Sequence, residues 1–181
     1  MTLWLVRHAL PLINNGICYG QFDIKANLAE TQKCAAMLKN VLPAGVYLLT
    51  SPLQRCELLA QIFKGLQPGL IFKKDDRLQE MNFGQWEGRA WADIDPAALD
   101  AWTADFANYR AGGTGESAGQ FMTRVASAFD ELDPAKDTVW ITHAGVIRAA
   151  TLIAQGIRRI ERASQWPLDA PAYGQWCKLT I

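Results

Sequence analysis

Histidine is scarce in this chain: His8 and His143 are the only two among 181 residues. Long apolar runs are missing as well. The opening stretch Thr2 to Val6 stops at Arg7, far short of a signal sequence's apolar region, and no later run approaches the roughly 20 residues that cross a bilayer. Net charge is absent, since 18 basic residues balance 18 acidic ones. No overall field therefore draws the molecule to nucleic acid or to an anionic membrane, and any anion it binds must be held locally. Cys18, Cys34, Cys56 and Cys177 form no C-x-x-C pair, and no histidine stands beside one. That spacing argues against a zinc site and against a disulfide framework, and thiols of this kind suit a reducing compartment. The expectation is a cytoplasmic protein with no metal and no cofactor. A homodimer is compatible with the sequence, but nothing in it calls for one.

Half of the residues are apolar, enough for a sizeable core within one domain spanning residues 1–181. Residues 2–6 read as a strand that ends on a charge. Leu28, Cys34, Ala35, Leu38 and Leu42 recur at helical spacing, and Pro43 with Gly45 closes that helix. A second strand over 46–49 leads through Thr50-Ser-Pro52 into a helix over about 53–64. A third strand covers 70–72. Segment 81–118, rich in aromatics and glycine, reads as an insertion with a helix from Pro96 to about Tyr109. Ser117 can cap a helix to about Leu132, a strand follows over 138–142, then a helix over 146–155 and a final edge strand near 175–181. Strands alternating with helices predict an α/β fold, a three-layer α/β/α sandwich on a mostly parallel sheet. In such folds ligands gather beyond the carboxyl ends of the strands.

Three polar motifs fall at those strand ends: Arg7-His8, Ser51-Pro-Leu-Gln-Arg55 and His143-Ala-Gly145. They should converge on one side of the sheet. Two histidines could ligate a metal, but the residues beside them are arginines, which repel a cation and suit an anion. Arginine forks match phosphate oxygens in pairs, so Arg7 and Arg55 can hold a phosphoryl group in transit. No Walker loop and no clustered carboxylates are visible, which leaves a side-chain nucleophile as the simplest route. A histidine flanked by cations stays neutral and keeps a lone pair free.

The segments Leu5-Val-Arg-His8, Ser51-Pro-Leu-Gln-Arg55, Leu78-Gln-Glu-Met-Asn-Phe-Gly-Gln-Trp-Glu-Gly88 and Thr142-His-Ala-Gly-Val-Ile-Arg148 occur in that order. Together they resemble the histidine phosphatase superfamily, also called phosphoglycerate-mutase-like, over residues 3 to about 150. Within it the chain most resembles the α-ribazole phosphatase branch, through Ile17-Cys-Tyr-Gly-Gln21 and the Glu80 segment. The resemblance implies a phosphomonoesterase with His8 as nucleophile and with Arg7, Arg55 and His143 around the phosphoryl oxygens. It implies Glu80 as the acid that protonates the leaving alkoxide and then deprotonates water. That role demands a carboxyl that carries its proton when substrate is bound, through burial or through the substrate's own negative charge. Asn14 and Gln21 fall where substrate contacts are expected, as does Ala144. Three positions depart from the family pattern: Ala9 and Ala144 replace glycines and Leu59 replaces a threonine. They bear on pocket shape, not on any reacting group.

Substrate choice is expected to lie in the 81–118 insertion. Leu99, Trp102, Phe106 and Tyr109 are spaced as the buried stripe of a helix, whereas Trp86 and Trp91 lie outside it and nearer Glu80, as candidate ligand contacts. Gly115-Glu-Ser117 is either a substrate-side segment or a turn with a helix cap. The expected partner is a small-molecule phosphate ester, with α-ribazole 5′-phosphate foremost and broad sugar or nucleotide phosphates as the alternative. A mutase usually carries a longer insertion and a C-terminal tail, and a noncatalytic phosphate-binding module would lose the nucleophile or the acid. Neither description fits this chain.

Overall fold

Along the first strand, β1 (Thr2–Arg7), alternate side chains face opposite ways. Leu3 and Leu5 join one apolar cluster, and Trp4 and Val6 join another. A strand buried on both faces needs a helical layer on each side, and the computed structural model, which describes residues 1–181, has both. On the Trp4–Val6 side pack α1 (Leu28–Val41) and α2 (Gln54–Leu66), through Cys34, Ala35, Leu38, Leu59 and Phe63. On the Leu3–Leu5 side pack α4 (Ala118–Asp130) and α5 (Ala144–Ala154), through Phe121, Met122, Val125 and Val146. The shorter α3 (Pro96–Ala104) belongs to the 81–118 segment.

The sheet runs β3-β2-β4-β1-β5, with β2 at Tyr47–Thr50, β3 at Phe72–Lys74, β4 at Thr138–Thr142 and β5 at Trp176–Thr180. Four strands are parallel, and β5 pairs antiparallel with β1 at one edge. The central strand β4 is buried at every residue, as a strand covered on both faces must be. In the register, Arg7 lies opposite Thr142 and Thr50 opposite Ile141. The ends of β1, β2 and β4 are thus level, and the three polar motifs leave the sheet together, as the strand-helix alternation predicts.

Several boundaries shift by a residue or two from the sequence expectation, as where α5 starts at Ala144 and not at 146, and two shifts have a clear physical reason. The third strand lies at Phe72–Lys74 and not at 70–72, because pairing with β2 sets its register, Leu48 opposite Phe72, and leaves Ile71 exposed at 74%. Hydrophobicity alone pointed two residues too early. Helix α3 ends at Ala104 and not near Tyr109. Thr103 bonds back to the carbonyls of Leu99 and Asp100, and Asn108 Nδ2 donates to Asp105 Oδ1 in the turn that follows. Phe106 is buried from that turn and not from the helix. Ser117 does cap α4: its Oγ accepts the Gln120 N–H and Gln120 Oε1 accepts the Ser117 N–H, a reciprocal capping box. The Gly115-Glu-Ser117 segment is therefore a turn with a cap. Replacing Ser117 by alanine should cost about 1 kcal/mol of unfolding free energy in a denaturant titration. A midpoint unchanged from wild type would show that α4 is held by packing alone.

Candidate active site

His8 follows β1 directly and is only 1% exposed. Its Nδ1 lies 2.7 Å from the Ala9 carbonyl oxygen. A carbonyl can only accept, so Nδ1 carries the proton and Nε2 keeps the free lone pair. Burial, then the Arg55 charge, with Arg7 adding to it, lowers the His8 pKa from 6.5 to about 3, so the ring is neutral at any physiological pH. Ala9 has an ordinary negative φ, so its methyl imposes no backbone strain where the family's glycine would stand.

Arg55, in the first turn of α2, is fully buried. Its Nη2 donates to Gly20 O at 2.6 Å, Nη1 to Phe22 O at 3.0 Å and Nε to His143 Nδ1 at 3.3 Å. The guanidinium has five N–H groups, so two remain unspent. With Nδ1 accepting from Arg55, His143 carries its proton on Nε2 and donates to Ser51 Oγ at 2.9 Å. Burial and the Arg55 charge hold His143 well below the usual histidine range. Its ring meets that of His8 edge-on, with centroids 5.1 Å apart. Both ring nitrogens of His143 face protein groups, so what it shows in this structure is a brace between Arg55, Ser51 and His8.

Arg7 leaves β1 on the opposite face from Val6, and its guanidinium bends over the site. Its Nη1 donates to Pro171 O at 3.0 Å, its Cζ sits 3.9 Å above the Tyr173 ring, and its Nε–H is buried with no partner. Neither Arg7 nor Arg55 has a carboxylate within ion-pair distance. Buried cations without counter-ions are costly unless an anion completes them. No group of three or more histidine, cysteine and carboxylate side chains is arranged so that it could hold a metal ion.

Glu80 arrives from the other side. Its Oε2 accepts the Gly145 N–H at 3.0 Å, at the N-terminal end of α5, and its Oε1 accepts the Met81 N–H at 2.9 Å. A Cβ on Gly145 would collide with Oε1. The backbone around Glu80 is fixed by Arg124, which donates to the carbonyls of Arg77, Gln79 and Glu80 and is paired with Glu116 at 2.7 Å. Asn82 N donates to the same Glu116.

His8, Arg7, Arg55, His143 and Glu80 are thus brought to one end of the sheet, and the remaining candidates divide. Gln21 does not present its amide to an open pocket. Its Nε2 donates to Glu80 O at 3.0 Å and its Oε1 accepts from Asn82, so it positions the Glu80 loop. Ala144 is buried as the first residue of α5. Asn14 lies exposed on the loop after Pro11, bonded to nothing. Trp86 is 5% exposed and packs against Trp91 and Trp102 in the core, so it is corrected from a ligand contact to a core residue. Trp102 and Phe106 belong to the core, as their spacing predicts, but they also line a cavity beside Glu80, which Trp86 and Trp91 do not. A helix stripe has two edges, and spacing does not show that one of them borders empty space.

The sequence also gave no sign of the cover over the site. Residues 166–174 cross it: Pro171 accepts from Arg7, Gly174 N donates to His8 O, and Tyr173 lies 5.6 Å from the His8 ring, its hydroxyl 2.9 Å from that of Tyr19. Lacking periodicity and sitting more than 150 residues from Arg7 in sequence, Tyr173 had no local signal to mark it. Cys56, whose Sγ is 3.5 Å from His143 Nε2, is likewise a silent neighbour, with burial pushing its thiol up to about 12.

Solved structures resemble this one over nearly all its length. TTHB049 from Thermus thermophilus is 30% identical, with 99% of this chain and 93% of that chain covered and a TM-score of 0.73. A mycobacterial glucosyl-3-phosphoglycerate phosphatase, solved in complex with VO3, is 26% identical over 99% and 92% of the two chains, with a TM-score of 0.75. A protein described as mycobacterial hydrolase 1 is 25% identical over 98% and 87%, with a TM-score of 0.79. No curated protein matches the sequence. The family model of branch 1 matches residues 3–180, a span that contains all five strands but for Thr2 at the start of β1, and all of the site just described. The chain belongs to the histidine phosphatase superfamily, branch 1.

Proposed function

We propose that the protein is a phosphomonoester hydrolase that works through a phosphohistidine on His8. The observation that carries this reading is a neutral imidazole with its Nε2 lone pair free, set between two arginines that have no carboxylate partner. A phosphoryl group supplies the missing anion. Arg55 has two N–H groups left for its oxygens, and Arg7 has the unpartnered Nε–H. His8 Nε2 attacks phosphorus in line, a P–N bond forms and the P–O bond to the alcohol breaks. Glu80 gives its proton to the departing oxygen. The Ala9 carbonyl keeps hold of Nδ1–H and steadies the charge on the phosphorylated ring. Water then loses a proton to Glu80 and attacks phosphorus, the P–N bond breaks, and phosphate leaves. The work is mostly positioning and electrostatics, as phosphoryl transfer requires.

Among esters, α-ribazole 5′-phosphate is the leading candidate, on the resemblance of the Ile17–Gln21 and Glu80 segments to that branch. The hydrogen bond from Gln21 to Glu80 O supports treating these segments as one unit. This substrate would place the enzyme in cobalamin nucleotide-loop assembly, acting in the cytoplasm on a small molecule. The likeness to the mycobacterial glucosyl-3-phosphoglycerate phosphatase favours a second reading, a broader sugar-phosphate phosphatase. Specificity constants for α-ribazole 5′-phosphate, sugar phosphates and phosphoglycerates decide between them: a preference of about a hundredfold or more for the first supports the narrow reading, and parity supports the second.

Rapid mixing with a labelled phosphomonoester and an alkaline quench should leave base-stable, acid-labile label on His8. Turnover without label under fast mixing would falsify the covalent route. Replacing Arg55 by alanine should lower turnover by about two orders of magnitude or more while the protein stays folded, and a loss under about threefold removes Arg55 from the phosphoryl site. A pKa lowered to about 3 means that His8 stays unprotonated as pH falls through the ordinary histidine range. An NMR titration of the free enzyme should therefore show no His8 inflection from about pH 8 to 5, and a midpoint near 6.5 contradicts the buried, neutral ring.

A further inference from the structure

Beside Glu80 lies a cavity of about 130 Å3 whose walls include Trp102, Phe106, Phe121 and Trp166, with Arg148 at one side. An apolar cavity of about 150 Å3 takes up a molecule of benzene, so this space matches one six-membered ring. Flat side chains surround it, with Trp102 tilted against Phe106 at 5.2 Å, and Trp166 near Phe106 and Phe121 at 6.4 and 6.1 Å. One donor of the wall is unspent: the indole N–H of Trp102 is buried with no partner. Arg148 has already given Nε and Nη2 to Asp169 O and Leu168 O, so it ties the Trp166 segment down and closes that side.

Resting on the phosphatase reading and on its second, broader substrate reading, since the fused two-ring base of α-ribazole exceeds a space of about 130 Å3, we propose that this cavity receives the leaving group, and that it selects an alcohol carrying a single flat ring with a hydrogen-bond acceptor on its edge. Glu80 is itself a wall residue, so an ester whose bridging oxygen meets the Glu80 carboxyl has its alcohol at the cavity's mouth. Trp166 and Trp102 are the specificity residues: Trp166 supplies stacking surface from the covering segment, and Trp102 supplies surface and a donor from α3. The covering segment therefore reads both ends of the ester, the phosphoryl side through Tyr173 against Arg7 and the alcohol side through Trp166.

The test uses esters whose leaving groups are all primary alcohols: propyl phosphate, benzyl phosphate and the three pyridylmethyl phosphates. Wild type should favour benzyl over propyl phosphate by about tenfold or more in kcat/KM, and the best pyridylmethyl isomer over benzyl phosphate by a further few-fold. Trp166→Ala should cut the benzyl-to-propyl ratio at least about threefold, and Trp166→Phe, which keeps a ring, should restore most of it. Trp102→Phe should abolish the advantage of the pyridylmethyl ester. A benzyl-to-propyl ratio near one in wild type overturns the proposal, and so does a Trp166→Ala variant that loses activity on all esters in equal proportion. Either result alongside label on His8 leaves the hydrolase reading standing. Absence of label and of turnover for every ester overturns both.

Discussion

A guanidinium buried without a carboxylate is the constraint around which this molecule is arranged. Arg55 lies inside the protein on three uncharged acceptors, two loop carbonyls and an imidazole. Each acceptor comes from a different part of the chain or a different place in one loop, and so each is fixed by the need to satisfy that side chain. Gly20, with φ of 30° and no room for a Cβ between Glu87, Met81 and Phe83, turns its carbonyl to Nη2. Phe22 does the same for Nη1, and His143 is set in the tautomer that makes Nδ1 an acceptor. The cation is hydrogen-bonded but not neutralised, and that residual charge is what an anion meets.

A second support works in parallel on the other side. Arg124, paired with Glu116, ties α4 to the carbonyls of Arg77, Gln79 and Glu80, while Gln21 reaches the Glu80 carbonyl from the loop that also serves Arg55. The acid and the arginine are therefore positioned through one shared loop, residues 19–22. This is why that loop, and not a strand end, joins the two halves of the site.

The sequence made the sheet and four of the five convergent residues legible for a physical reason: a strand covered on both faces leaves a short apolar run, and polar residues just beyond it emerge at the carboxyl end of the sheet. His8, Arg55 and His143 carry that signal in full. Glu80 does not follow a strand, and it was found through the resemblance of its whole segment. What periodicity missed was decided by packing between distant segments. Trp86 became core because the Trp91 and Trp102 rings pack against it, and Trp102 became a cavity wall because α3 ends before the stripe does. Tyr173 lies in a stretch with no repeat of any period. Its place above Arg7 depends on β5 pairing antiparallel with β1, which brings residues 171–174 back to the nucleophile's end of the sheet.

The seat of Glu80 explains which departures from the family pattern the chain can carry. Ala144 and Gly145 are neighbours at the start of α5, yet they face different demands. At 144 the added methyl is accommodated and buried. At 145 the volume that a methyl would fill already belongs to the Glu80 carboxylate. Two adjacent small residues can thus answer to unrelated requirements, the first a matter of shape and the second a vacancy owned by another residue. A methyl is carried at 144 and would collide with the Glu80 carboxylate at 145, so only the second position is claimed by the acid.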